Sequence, residues 1–227
     1  MWIDEDSEFM NISCSDLRNQ DILEVGCGDG RLSVRFADIA KTLVAIDPNE
    51  EKLKKARERL RGHHPKVRLE VGGAERLPFP DNSFDVVFYS LSFHHLPIKM
   101  QYDAILEARR VLRSKGKLFI YEPIASGQMQ SLFLLFEEEL NAMIEVLKTI
   151  QKAEDERVFK SIKKKEFSIN WKFDSFNDLS EFFKREYGEK AIVARKPEIL
   201  AILKGQSNAK PIVLEDRLML IELVVNK

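Results

Sequence analysis

Ile22-Leu23-Glu24-Val25-Gly26-Cys27-Gly28-Asp29-Gly30-Arg31-Leu32 is the most informative stretch of this chain. Residues 21–25 are mostly apolar and read as a short strand. The glycines after them read as a tight turn, because glycine adopts positive φ and lets a ligand approach the backbone. From Arg31 the period changes. Leu32, Phe36, Ile39 and Ala40 fall on one helical face. A strand, a glycine turn and a helix start together present free N–H groups and a partial positive charge, which favour an anionic group.

The alternation continues downstream. Residues 42–46, 67–71, 84–88 and 117–121 read as strands, and 50–60 and 101–112 as helices with one apolar face. Strands and helices in this order imply parallel βαβ units with right-handed crossovers. The second half is less regular. It reads as a long helix over 131 to about 152, a strand over 167–173, and a helix over 177–187 ended by Gly188. A short helix then opens at Pro197 and closes at Gly205, before a last strand over 218–225. The expected fold is α/β: a Rossmann-like, doubly wound, mostly parallel seven-stranded sheet with helices on both faces. Residues 1–227 are expected to form one domain, with 124–165 as a helical insertion or lid within it.

Composition sets bounds around this reading. The chain has 227 residues, 44% of them hydrophobic and 32% charged, with a net charge of −1. A chain of this size buries about 70% of its unfolded surface, enough for a core without staples. Near-neutral charge argues against a nucleic-acid partner, and the basic run 160–165 reads as a solvated face. Cys14 and Cys27 form no CxxC pair and no ligand-spaced set with histidine, so neither a disulfide scaffold nor a metal site is expected. Apolar runs such as 132–136 are far shorter than the roughly 20 residues of a spanning helix, so no membrane segment is expected. The first six residues are acidic rather than laid out as a signal peptide, and a cytoplasmic protein is the expectation.

Asp47 lies 21 residues beyond Gly26, at the end of the second strand. An acid there can accept hydrogen bonds from both hydroxyls of a ribose. These features fit a dinucleotide or another adenosine cofactor. The spacing separates the two. The dinucleotide fingerprint G-x-G-x-x-G/A needs Gly or Ala at position 31, where this chain has Arg31. Glu24, two residues before the first glycine, offers nothing to a diphosphate but suits an ammonium. An NAD-dependent oxidoreductase is therefore the weaker reading.

Glu24-Val25-Gly26-Cys27-Gly28-Asp29-Gly30 resembles motif I of class I S-adenosylmethionine-dependent methyltransferases. Three further segments, 75–87, 92–96 and 107–116, resemble later motifs of the same family in the same order. The resemblance covers about residues 20–123 and is nearest to the type 11, ubiquinone-biosynthesis-like branch. It implies S-adenosylmethionine as cofactor and methyl transfer to a small-molecule acceptor. A cofactor-binding protein without catalysis is the alternative. By the same resemblance, Gly26, Cys27, Gly28 and Gly30 cradle the methionine end, with Glu24 near its amino group. Asp47 binds the ribose, Pro48 packs near the adenine, and Ala74 and Glu75 flank it. Ser90 and Leu91 line the methionine and sulfonium. All of these positions lie at the carboxyl ends of expected strands, where open parallel sheets bind ligands.

The chain also departs from the family. Gly73 stands where an acid often reads the adenine amine, which shifts that task to backbone groups or Glu75. Ser114-Lys115-Gly116 replaces the usual Pro-Gly-Gly turn. Trp2, Phe9 and Met10 are candidates to cap the site, and also read as a loosely packed terminus. His94 and His95 are the candidate general bases, and the pair also reads as loop packing; His63 and His64 read as surface residues. Phe93, Met100, Met129, Phe133, Phe136, Met143 and Trp171 are candidate acceptor walls or ordinary core.

Overall fold

The computed structural model describes residues 2–3, 15–63 and 65–225. Phe9, Met10 and His64, named above, lie outside the described residues, as do the side chains of Trp2 and His63. The strands are β1 (Trp2–Ile3), β2 (Asp21–Val25), β3 (Thr42–Asp47), β4 (Val67–Val71), β5 (Phe84–Ser90), β6 (Leu112–Pro123), β7 (Phe159–Phe173) and β8 (Ile212–Val225). The helices are α1 (Arg31–Ile39), α2 (Glu50–Arg59), α3 (Ile98–Val111), α4 (Gln128–Phe133), α5 (Leu140–Asp155), α6 (Phe176–Tyr187), α7 (Glu189–Ala194) and α8 (Lys196–Leu203).

The strands form one sheet in the order β1-β7-β8-β6-β5-β2-β3-β4. Neighbours from β4 through β3, β2 and β5 to β6 pair in parallel; β8, β7 and β1 continue the sheet antiparallel. The seven expected strands are all present, and the two-residue β1 adds to the edge of β7. The strand order reverses direction at β2, flanked by β3 and β5, and ligands of such sheets bind at that switch point.

Strand side chains alternate between two cores. Leu23, Val25, Val87 and Tyr89 face the core walled by α3 and α5, which contribute Ile105, Ala108, Val146 and Ile150. Ile22, Val86 and Phe88 face the opposite core, walled by α1 and α2 with Phe36, Leu53 and Ala56. Burying each such large side chain contributes roughly 1.5–3 kcal/mol. A third cluster, including Met129, Phe173, Phe183, Leu203 and Leu214, packs α4, α6 and α8 against β7 and β8.

Local signals explain the helix bounds. Asn49 caps α2, its Oδ1 accepting from the N–H groups of Glu51 and Lys52 at 3.0 and 3.1 Å. Ser175 caps α6, accepting from the Asp178 N–H. The second half departs from expectation in three ways. The helix expected over 131–152 is two helices, α4 and α5, interrupted at 134–139, where Glu137 meets Tyr187 and Glu139 meets His94 and His95 instead of continuing a helix. Strand β7 begins at Phe159 rather than 167, and β8 at Ile212 rather than 218. Residues 159–165 thus belong to the sheet, with Lys163, Lys164 and Lys165 exposed on a strand near its edge. Helix α7 follows Gly188, where only a stop signal was legible.

Candidate active site

A cleft of about 860 Å³ opens at the carboxyl ends of β2, β3 and β5. Its floor is the turn after β2. The N–H groups of Gly26 and Cys27 both donate to the Ile46 carbonyl, at 2.8 and 3.0 Å, which ties the turn to the end of β3. Gly26 has φ 74°, and a Cβ there would fall 2.5 Å from Ser92 Oγ. Only glycine fits both the backbone and the space. At Gly28 a Cβ would meet nothing within 4 Å, so its backbone lies open to the cleft.

Glu24, Gly26, Cys27, Gly28, Asp47, Pro48, Ala74, Glu75, Ser90 and Leu91 all line this cleft. Gly30 does not. It caps α1 and packs on Ala56 instead, with 3.0 Å between the Ala56 Cβ and the position a Gly30 Cβ would take. Glu24 is fully buried; its carboxylate accepts from Ser33 Oγ at 2.5 Å and Ser90 Oγ at 2.7 Å. Burial pushes its pKa up to about 7, against the opposing pull of the two hydroxyls. Burial also pushes the Cys27 thiol up, so it stays neutral and is no nucleophile at neutral pH. Asp47 is buried, with Oδ2 accepting from the Gly28 N–H and Oδ1 from the Asn49 N–H, both at 2.8 Å.

The far wall is residues 72–75, the start of the segment 72–81. A Cβ at Gly73 would fall 2.7 Å from Glu75 Oε1, so the Glu75 carboxylate fills the space beside that glycine. The segment is clamped from α3. Arg110 donates to the Leu77 and Phe79 carbonyls at 2.9 and 2.8 Å, while Glu107 accepts from the Leu77 N–H at 2.9 Å. The clamp explains why segments 75–87 and 107–116 stand out together in the sequence.

A second cavity of about 210 Å³ adjoins the cleft. Arg31, Leu91 and His95 line both. Leu91, with φ 52°, is held in the left-handed region at this junction. His94 and Glu139 line the second cavity beside Phe133 and Trp171. His94 is buried, and its Nδ1 bonds to Glu122. Burial disfavours the charged ring, but the carboxylates of Glu122 and Glu139 outweigh this and push its pKa up to about 10. Of the candidate acceptor walls, Phe133 and Trp171 line the second cavity and Met100 the cleft. Phe93, Met129 and Met143 are core, and Phe136 stacks on Tyr187 at 4.7 Å. Ser33 and Ser92 were missed because their partners are distant in sequence. Glu186, which reaches the cleft from α6, had no signal.

Residues 23–120 match the methyltransferase domain family. This segment belongs to the class I S-adenosylmethionine-dependent methyltransferases. The chain is 34% identical over 113 residues to 27-O-demethylrifamycin SV methyltransferase of Amycolatopsis mediterranei, covering 47% of this chain and 41% of that one. It is 35% identical over 112 residues to the ubiquinone/menaquinone biosynthesis C-methyltransferase UbiE of Rickettsia bellii, covering 46% and 44%. The match thus spans less than half the length of these relatives. Among solved structures, the YcgJ protein of Bacillus subtilis superposes with a TM-score of 0.66 at 20% identity, covering 92% of this chain and 94% of that one. That likeness extends the fold of the methyltransferase segment to nearly the whole chain. The cofactor of the family is S-adenosylmethionine, and the dinucleotide reading falls away. No described helix is long and apolar enough to cross a membrane.

Proposed function

We propose that this protein transfers a methyl group from S-adenosylmethionine to a small-molecule acceptor held in the second cavity. The observation that carries the proposal is the junction of the two cavities at Arg31, Leu91 and His95. A donor in the cleft and an acceptor in the cavity meet there. The cofactor supplies a methyl on a positively charged sulfur.

The residues present fit such a cofactor. The open backbone at Gly28 leaves room for it beside the turn. The buried Glu24 carboxylate offers an ammonium group an anion already oriented by two hydroxyls. Both Asp47 oxygens are fixed by backbone N–H groups and keep lone pairs for ribose hydroxyls. Glu75 takes the space beside Gly73 and serves the adenine amine in place of the acid the family often carries. What remains is positioning. Holding the acceptor in line at the junction can supply roughly 7–11 kcal/mol of the barrier. The cavity is small and walled by Phe133 and Trp171, which suits a compact acceptor with an apolar or aromatic part. The names of the relatives, a rifamycin methyltransferase and a ubiquinone/menaquinone methyltransferase, concern small organic molecules.

The test is a melting-temperature comparison. S-adenosylhomocysteine, the demethylated cofactor, at 100 times its Kd adds about 2.7 kcal/mol of stability. A rise with this ligand and none with NAD(H) is expected. No rise with S-adenosylhomocysteine, or a rise with NAD(H) alone, retires the proposal.

A further inference from the structure

One cluster in the second cavity has chemistry that methyl transfer leaves unused. His94 and His95 follow β5, and Glu139 comes from the break before α5. One nitrogen of each ring and one oxygen of Glu139 lie within 4.8 Å of one another. His95 Nδ1 is 2.7 Å from Glu139 Oε1, and His94 Nε2 is 3.5 Å from Glu139 Oε2. Ligands about 2.0–2.2 Å from a tetrahedral centre stand roughly 3.3–3.6 Å apart, so modest side-chain adjustment brings these atoms around one ion.

The surroundings match a metal site in three further respects. First, the other nitrogen of His94 is bonded to Glu122. Glu122 is itself buried and fixed by the N–H groups of Phe93 and His94, at 2.9 and 3.3 Å. A carboxylate holding the far nitrogen of a histidine is the usual device for orienting a metal-ligating imidazole. Second, the carboxylates favour a positive charge here, and a metal ion would supply it in place of the His94 proton, which leaves to solvent. Three carboxylates, Glu122, Glu137 and Glu139, gather about the two rings. Third, the chain departs from helix at 134–139 and thereby delivers Glu139 to both rings.

We propose that His94, His95 and Glu139 bind a divalent transition-metal ion of the zinc class, with Glu122 orienting His94 from behind. Two nitrogens and one oxygen are the three protein ligands of an open tetrahedral site, and imidazole donors select such ions over magnesium or calcium. All three ligand residues line the 210 Å³ cavity, which would leave the fourth position to a molecule held there. Resting on the methyltransferase reading, that position takes an oxygen of the acceptor, so hydroxyl- or carbonyl-bearing acceptors are favoured.

The full chain, stripped with a chelator, is titrated with Zn²⁺ in a calorimeter and with Co²⁺ in a visible spectrometer. Expected are one equivalent of Zn²⁺ and Co²⁺ bands of a four-coordinate site. Glu139→Gln and His95→Ala, at partly exposed positions, each weaken binding tenfold or more; Glu122→Gln weakens it about 10–100-fold. Circular dichroism confirms that each variant is folded. Absence of stoichiometric binding, or binding unchanged in both Glu139→Gln and His95→Ala, overturns the proposal. These titrations contain no cofactor. A failed metal titration beside an intact S-adenosylhomocysteine response sinks only the metal site, and the reverse pattern sinks only the methyltransferase reading.

Discussion

Glu24 keeps a carboxyl group wholly out of water at the mouth of the β2 turn, and this has a pH consequence. Its folded pKa of about 7 lies above the ordinary 4.5. Between those values the folded state binds more protons than the unfolded, so stability falls as pH rises from about 4.5 to 7 and levels off above. The loss amounts to about 3 kcal/mol. Urea denaturation at pH 5 and pH 8 checks this, and in Glu24→Gln that part of the difference disappears. The same variant binds S-adenosylhomocysteine more weakly at pH 8, where the native carboxylate is ionised. Asp47→Ala removes both its backbone partnerships and its lone pairs for the ribose. Most of the S-adenosylhomocysteine-induced rise in melting temperature is expected to vanish, and an unchanged rise would show the ribose assignment to be wrong. Glu24 and Asp47 were legible as candidates because a carboxylate beside a glycine turn has few other uses. Ser33 and Ser90 as the hydroxyls that hold Glu24 were not. Their hydrogen bonds span 9 and 66 residues, and no local pattern encodes such pairings.

Among the elements, the β2–α1 turn is the most constrained. Gly26→Ala meets two penalties: left-handed backbone at φ 74°, about 1–2 kcal/mol, and overpacking against Ser92, about 1–3 kcal/mol. Denaturant unfolding of Gly26→Ala is expected to show a loss of about 2–5 kcal/mol. Adding Ser92→Gly relieves the packing share and leaves the backbone share. If the double variant regains nothing, the clash with Ser92 is not the cause. The βαβ elements of the first half were readable because each strand is a short apolar run and each helix has one apolar stripe. The second half hides its elements. Lysines 163–165 mask the alternation of β7; among the described residues β1 pairs with β7 at Trp171 and Lys172, and the side chains of 163–165 are exposed to water. The break at 134–139 was invisible because Phe133, Phe136, Leu140 and Met143 keep a helical spacing through it. Only the tertiary partners of Glu137 and Glu139, namely Tyr187 and the two histidines, account for the interruption.

The molecule as a whole has two cores astride the parallel strands and a third at the far end of the β7–β8 ribbon. The third includes Leu203, which is fully buried on α8 and lines neither cavity. Leu203→Ala is expected to cost about 2–5 kcal/mol, or a drop of roughly 4–20 °C in melting temperature. The rise produced by S-adenosylhomocysteine should be undiminished. A lost response would mean that this core also shapes the cleft. The order of the elements also separates the walls of the two cavities along the chain. The walls of the cleft come from residues 24–100, with Glu186 as the exception. Most walls of the smaller chamber come from residues 123–218, beyond the segment that matches the methyltransferase domain family. On the proposed reading, donor recognition lies in the first stretch and recipient recognition mostly in the second, with Arg31, Leu91, His94 and His95 as the exceptions. A chimaera that keeps the first and grafts the second from another family member exchanges what is methylated without rebuilding what does the methylating.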